Sequence, residues 1–244
     1  MEKDTLVLFD IGGVMLELNY SRFYNEAVKY IPKHKKVQAE EFKKKYADTE
    51  LEKRVLTGKI TTKEFADGIR SVISPDTGWE KDDDILSLYS QCWKGPIDST
   101  VRLKYAIHNA GHAVGLFSNI SEYGVRKLSG AYPDLFETFG GPQVYSYLIG
   151  DIKPNPPMYR TVQELGFKKI IFIDDKESYL RTGEKFGWYC SLFTPYVDSS
   201  EAIKSFLGHS TANQVQETEK FRVANNEQEL RTVLMDFGVN GEQS

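Results

Sequence analysis

The chain has 244 residues, of which 40% are hydrophobic and 27% charged, and a net charge of -4. Those proportions are ordinary for a soluble globular protein and exclude wholesale disorder, collagen-like repeats and low-complexity chains. The acidic balance excludes a general nucleic-acid or anionic-membrane binder, which needs a basic excess. The first apolar run, Thr5 to Phe9, is continuous rather than alternating and ends at Asp10. Continuous runs mark strands covered on both faces. Gly12 and Gly13 follow at once and predict a tight turn. Residues 18 to 95 then read as helices throughout. Their periodic apolar positions are Phe23, Val28, Phe42, Leu51, Val55, Phe65, Ile69, Ile85 and Leu88. Gly58 separates two of these helices, with Thr61 as an N-cap, and Pro75 to Gly78 mark another break.

From Pro96 the strand-helix rhythm resumes. Strands are expected at Ala113 to Phe117, Lys169 to Ile173 and Tyr189 to Phe193. Helices are expected at Ser99 to Ala110, Glu122 to Ala131, Pro157 to Leu165 and Ser178 to Phe186. Gly111, Gly166 and Gly187 sit where three of those helices should stop. The alternation predicts an α/β fold: a Rossmann-like parallel sheet covered by helices on both faces, with a small all-helical cap. The core is expected over 1-17 and 96-244, and the cap over 18-95. Beyond residue 198 an extended C-terminal segment is expected. In it, Asp198 to Leu207 reads as a helix, Phe221 to Val223 as a short strand and Asn225 to Phe237 as a capped terminal helix.

Open parallel sheets bind ligands at the carboxyl ends of their strands. The first strand delivers Asp10, the second Ser118 and Asn119, and a later one Asp174 and Asp175; Lys153 lies in the segment between. Three converging carboxylates repel one another unless a cation neutralises them. Oxygen ligands without His or Cys favour a hard cation, and Mg2+ is the expected one. A metal beside a carboxylate, a lysine and a hydroxyl suits a phosphate ester. Asp is a competent nucleophile toward phosphorus, and the metal and Lys153 would offset charge on the transferring group. The turn amides at Gly12 and Gly13 would donate to phosphate oxygens.

Four motifs stand in order: Phe9 to Val14, Leu116 to Asn119, Lys153-Pro154 with Tyr159 following, and Phe172 to Asp175. Together they resemble the haloacid dehalogenase (HAD) superfamily of hydrolases, in the subgroup whose helical cap follows the first motif. The resemblance spans residues 5 to 195. It implies that Asp10 is the nucleophile and a metal ligand, and that the Gly12 carbonyl also meets the metal. It implies phosphate binding by Ser118 and Asn119, a Lys153 paired with Asp10 and the phosphate, and Asp175 as a direct Mg2+ ligand beside Asp174. Arg22, just inside the cap, is the one candidate there for a substrate contact.

The chain departs from the family pattern at three places. Phosphatases of the family usually carry a second Asp two residues after the nucleophile, as a general acid and base worth ~10² to 10⁴ in rate. Here that residue is Gly12. Many relatives have Asn four residues after the second motif Asp; here it is Tyr179. The tail beyond residue 195 exceeds what the family core needs. The reading is a Mg2+-dependent phosphatase of a sugar phosphate or nucleotide. The alternatives are a HAD-fold binding or regulatory protein without turnover, and a 2-haloacid dehalogenase.

Plainer readings stand beside these. Asp10 also suits a turn, the Asp174-Asp175 pair a helix N-cap, Ser118 and Asn119 caps, and Lys153 a solvated loop. His34, His108, His112 and His209 show no metal spacing, since Gly111 ends the helix between the middle two. The lysines at 33 to 36 and 43 to 45 read as a solvated face, and Trp79 and Trp93 as packing residues. Glu2, Lys3 and Asp4 stand where a signal peptide needs its apolar stretch. The longest apolar runs, such as Ile170 to Ile173, are too short to span a bilayer. Two cysteines, Cys92 and Cys190, make neither a disulfide framework nor a cysteine zinc site. A cytoplasmic monomer or homodimer is expected, with a small phosphorylated metabolite as partner and neither nucleic acid nor membrane.

Overall fold

The computed structural model describes residues 4–31, 37–73, 81–195 and 215–239. Six parallel strands form one sheet. In chain order they are β1 (Thr5–Phe9), β4 (Ala113–Ser118), β5 (Gln143–Tyr145), β6 (Lys169–Asp174), β7 (Tyr189–Phe193) and β8 (Phe221–Ala224). Their order across the sheet is β5-β4-β1-β6-β7-β8. β1 is central, and Leu6 to Phe9 are wholly buried, which is why that run carries no polar alternation. Truncating one such side chain to Ala costs about 2 to 5 kcal/mol.

The expected strands and helices of the core are present. Helices α6 (Asp98–Asn109), α7 (Glu122–Ala131), α8 (Pro133–Phe136), α9 (Ser146–Ile149), α10 (Pro156–Gln163), α11 (Glu177–Lys185) and α12 (Glu227–Asp236) flank the sheet. Gly111 follows α6 with φ 88°, a left-handed value that ends the helix without the strain a Cβ would bring. α12 is capped by Asn226, whose side chain accepts from the Glu229 N–H at 2.9 Å. The tail is an edge addition: β8 pairs in parallel with β7, and α12 packs on α6 and β7. The helix expected at Asp198 to Leu207 lies outside the described residues.

A short antiparallel ribbon, β2 (Leu16–Leu18) and β3 (Trp93–Pro96), stands at the two borders of the stretch expected to be helical. It is too short to show a period of two, so the sequence pattern hides it. Between its strands lie α1 (Tyr20–Ala27), α2 (Ala39–Asp48), α3 (Leu51–Leu56), α4 (Thr62–Ile73) and α5 (Asp82–Tyr89). α4 starts with a capping box. Thr61 Oγ1 accepts from the Glu64 N–H at 3.1 Å, and a Glu64 carboxylate oxygen accepts from the Thr61 N–H at 2.7 Å. All the periodic apolar positions except Val28 are buried in a cluster of their own. Phe23 is its hub, with edge-on contacts to Phe42, Tyr46 and Tyr89. Trp93 stacks on Tyr123 of α7. Lys43 and Lys45 pair with Glu40 and Glu41 at the surface. Trp79, the break at Pro75 to Gly78 and the lysines at 33 to 36 lie outside the described residues. Among the described residues no helix is long and apolar enough to cross a membrane.

Candidate active site

Register brings the motifs together. Phe9 pairs with Leu116 on one side and Ile173 on the other. Asp10 therefore comes level with Phe117 and Asp174, and the next residues outward are Ser118 and Asp175. These residues sit on the carboxyl rim of the sheet, where an α/β fold places its ligands. Asp10, Ser118, Lys153, Asp174 and Asp175 are all buried.

Lys153 is the electrostatic centre. Its ammonium lies 3.1 Å from Asp10 Oδ1 and 2.6 Å from Asp174 Oδ2, and donates to the Phe117 carbonyl at 2.9 Å. The rings of Phe117, Phe172 and Tyr179 surround it at 5.2, 5.0 and 5.1 Å. Burial pulls the ammonium's pKa down, but the charges of Asp10 and Asp174 outweigh it and hold the group above its ordinary value. Breaking a buried pair of this kind costs about 3 to 5 kcal/mol. Lys153 is thus no solvated loop charge. Its backbone is held by Asn119, which accepts from the Lys153 N–H at 2.8 Å and donates to the Lys153 carbonyl at 3.1 Å.

The carboxylate oxygens of Asp10, Asp174 and Asp175 lie within 4.8 Å of one another. Burial pushes the Asp174 carboxyl up to about 6, against the pull of Lys153. Burial and the neighbouring Asp174 push Asp175 up as well. Both Asp174 oxygens are engaged, one by Lys153 and the other by the Lys176 N–H at 2.9 Å. Among the described residues the buried Asp175 Oδ1 accepts no hydrogen bond, and the buried Asp10 Oδ1 meets the Lys153 ammonium as an ion pair without a hydrogen bond. An orphaned buried acceptor needs a partner, and Asp175 Oδ1 beside the Asp10 carboxylate fits a hard cation such as Mg2+. Asp175 and Asp10 are therefore better placed as direct ligands than Asp174.

The turn after β1 is shaped around this cluster. Gly13 has φ 81°, and a Cβ there would stand 2.4 Å from Asp175 Oδ2, so only glycine lets the backbone approach the carboxylate. Thr100, a residue without a sequence signal, donates from its buried hydroxyl to the Val14 carbonyl at 2.6 Å. One expectation is corrected here. The Gly13 N–H donates to the Leu16 carbonyl at 2.8 Å, so that amide is taken up inside the turn and does not face a phosphate. At Gly12 a Cβ would lie 2.6 Å from Leu18 Cδ1.

The capping alternatives do not hold. Ser121 caps α7 by accepting from the Gly124 N–H, which leaves Ser118 and Asn119 outside that role. Lys176 is the N-cap residue of α11, beyond the Asp174-Asp175 pair, and no side chain caps that helix. Among the described residues no ion pair brings Arg22 to the carboxylates. It is exposed on α1, and its charge is felt by the Cys92 thiol. His108 and His112 line a cavity of about 690 Å³ with Asp4 and Phe139, at the opposite end of the strands. His108 stacks on Phe139 at 3.8 Å. Tyr179, noted in the sequence only as a departure, places its hydroxyl 3.4 Å from Asn119 Nδ2. Its signal was its spacing from Asp175.

No protein-family model matches the chain, and no curated protein matches it. Solved structures do. A HAD family enzyme from Bacteroides thetaiotaomicron superposes with a TM-score of 0.65 at 22% identity, covering 83% of this chain and 99% of that one. The same enzyme in complex with magnesium and inorganic phosphate gives 0.64 at 22% identity, covering 82% and 98%. L-2-haloacid dehalogenase from Xanthobacter autotrophicus, with chloropropionic acid covalently bound, gives 0.62 at 13% identity, covering 96% and 99%. The chain shares its fold with these HAD family and L-2-haloacid dehalogenase structures.

Proposed function

We propose that the protein is a Mg2+-dependent hydrolase of a small phosphomonoester, acting through an aspartyl-phosphate on Asp10. The observation that carries this reading is the orphaned buried oxygen Asp175 Oδ1 beside the Asp10 carboxylate and its ion pair with Lys153. The magnesium and phosphate complex of the Bacteroides enzyme supports the same ion and group for this chain. Asp10, Asp175 and the Gly12 carbonyl are the groups to hold the ion. When bound, Mg2+ supplies positive charge against the transferring phosphoryl group.

A carboxylate oxygen of Asp10 attacks phosphorus, and the bond from phosphorus to the ester oxygen breaks. The departing alkoxide takes a proton from water, because Gly12 offers none. A second water attacks phosphorus, the bond to Asp10 breaks, and inorganic phosphate leaves. One proton of that water stays on phosphate and the other neutralises the hydroxide left by the first step. Lys153 holds Asp10 in place through their ion pair, while Ser118 and the backbone N–H of Asn119 at the end of β4 bind the phosphoryl oxygens. Without a resident acid, good leaving groups such as aryl and anomeric phosphates turn over fastest.

The test is hydrolysis of p-nitrophenyl phosphate and a panel of sugar and nucleoside phosphates, with Mg2+, with excess chelator, and with Asp10→Asn. Turnover should require both Mg2+ and Asp10. Silence across the panel, from folded protein that binds Mg2+, would overturn the reading in favour of a binding protein. Activity that survives complete chelation would favour attack by Asp10 on carbon, as in a haloacid dehalogenase.

A further inference from the structure

The chemistry above leaves one cation of the rim without a role. Lys176 follows Asp175 directly, and it is exposed. Among the described residues its ammonium forms no ion pair. It is nonetheless part of the rim, since its backbone N–H donates to Asp174 Oδ1 at 2.9 Å. Its Nζ stands 5.1 Å from the centre of the Tyr179 ring. Lys153 Nζ stands 5.1 Å from the same centre, so the two ammoniums are separated by at most twice that distance.

Tyr179 is fixed in place. Its carbonyl accepts from the Tyr159 hydroxyl at 2.7 Å, and its own N–H donates to the Lys176 carbonyl at 3.0 Å. Its hydroxyl accepts from Asn119 Nδ2. That leaves the O–H proton with no acceptor among the described residues. Phenol and ammonium together offer a neutral and a charged donor, an arrangement suited to an anion.

We propose that Lys176 and the Tyr179 hydroxyl form a second anion subsite beside the phosphoryl position, so that the substrate is a compact phosphomonoester carrying a further anionic group. That group is a carboxylate or a second phosphate. The proposal rests on the phosphatase reading and narrows its substrate class.

The experiment compares matched pairs. 2-Phosphoglycolate and ethylene glycol monophosphate differ by a carboxylate; fructose 1,6-bisphosphate and fructose 1-phosphate differ by a second phosphate. The wild-type protein should favour the more anionic member of at least one pair by about tenfold in kcat/KM, carried in KM, the worth of one charge-assisted hydrogen bond. Which pair shows the preference identifies the group. Lys176→Met and Tyr179→Phe should each cut that preference by several-fold more than they cut turnover of p-nitrophenyl phosphate. No preference in the wild type, or an equal preference in both variants, overturns the subsite. If no phosphate is turned over, the phosphatase reading fails by itself. The subsite is then read by calorimetric binding of the same pairs to Mg2+-loaded Asp10→Asn protein, where equal affinities within each pair refute it.

Discussion

At Gly12 the space for a side chain is already taken by the end of Leu18, 2.6 Å from where a Cβ would stand. The missing acid is therefore matched by its surroundings, although a leucine terminus moves aside cheaply. An Asp at this position would regain a proton donor only with room to reach the leaving group. We expect Gly12→Asp combined with Leu18→Ala to raise hydrolysis of alkyl phosphates about 10- to 100-fold, and that of p-nitrophenyl phosphate much less. Steady-state rates on the two substrates check this, and equal changes on both would contradict it. The site's charged residues were legible in the sequence because Asp10 and Asp174 each close an apolar strand and Lys153 precedes a proline. Their supports were not. Thr100 reaches the Val14 carbonyl, and Phe117 offers its carbonyl to Lys153, across chain separations that only tertiary packing closes.

Among the elements, the buried strands announced themselves through unbroken apolar runs, and the helices through periodicity and terminal glycines. β5 escaped because three residues after Pro142 carry no period. The β2-β3 ribbon escaped for the same reason. Packing between α6 and α8 holds a feature that periodicity also hides. Lys104 is wholly buried and donates to the carbonyls of Asp134 and Leu135 at 2.5 and 3.2 Å. Burial lowers its pKa from 10.5 to about 8, against the charges of Glu137 and Asp134. Between those values the unfolded chain holds the proton and the folded chain releases it, so the native state gains stability as pH rises. Measured by denaturant unfolding, the wild type should gain about 2 kcal/mol relative to Lys104→Met between pH 7 and 10. A difference that stays constant with pH would contradict the buried ammonium.

The whole molecule is a parallel sheet whose carboxyl rim gathers the chemistry and whose helical unit rests on that rim. Besides the ribbon, hydrogen bonds join the helical unit to the core. The Ser146 hydroxyl donates to the Leu56 carbonyl at 2.6 Å, and Tyr123 shares a hydrogen bond of 2.9 Å with Ser90. For the proposed hydrolysis such a unit would exclude water when closed and move to admit substrate. Its helices were visible in the sequence, but what they select was not, because selection depends on side chains that meet only across the closed interface. The central claim is that phosphoryl transfer passes through Asp10, and rapid acid quenching during the first turnover with Mg2+, followed by mass spectrometry, addresses it directly. The account predicts a phosphoryl group on the peptide that carries Asp10, absent without Mg2+ and absent in Asp10→Asn. Release of inorganic phosphate with the Asp10 peptide unmodified at every quench time would contradict it.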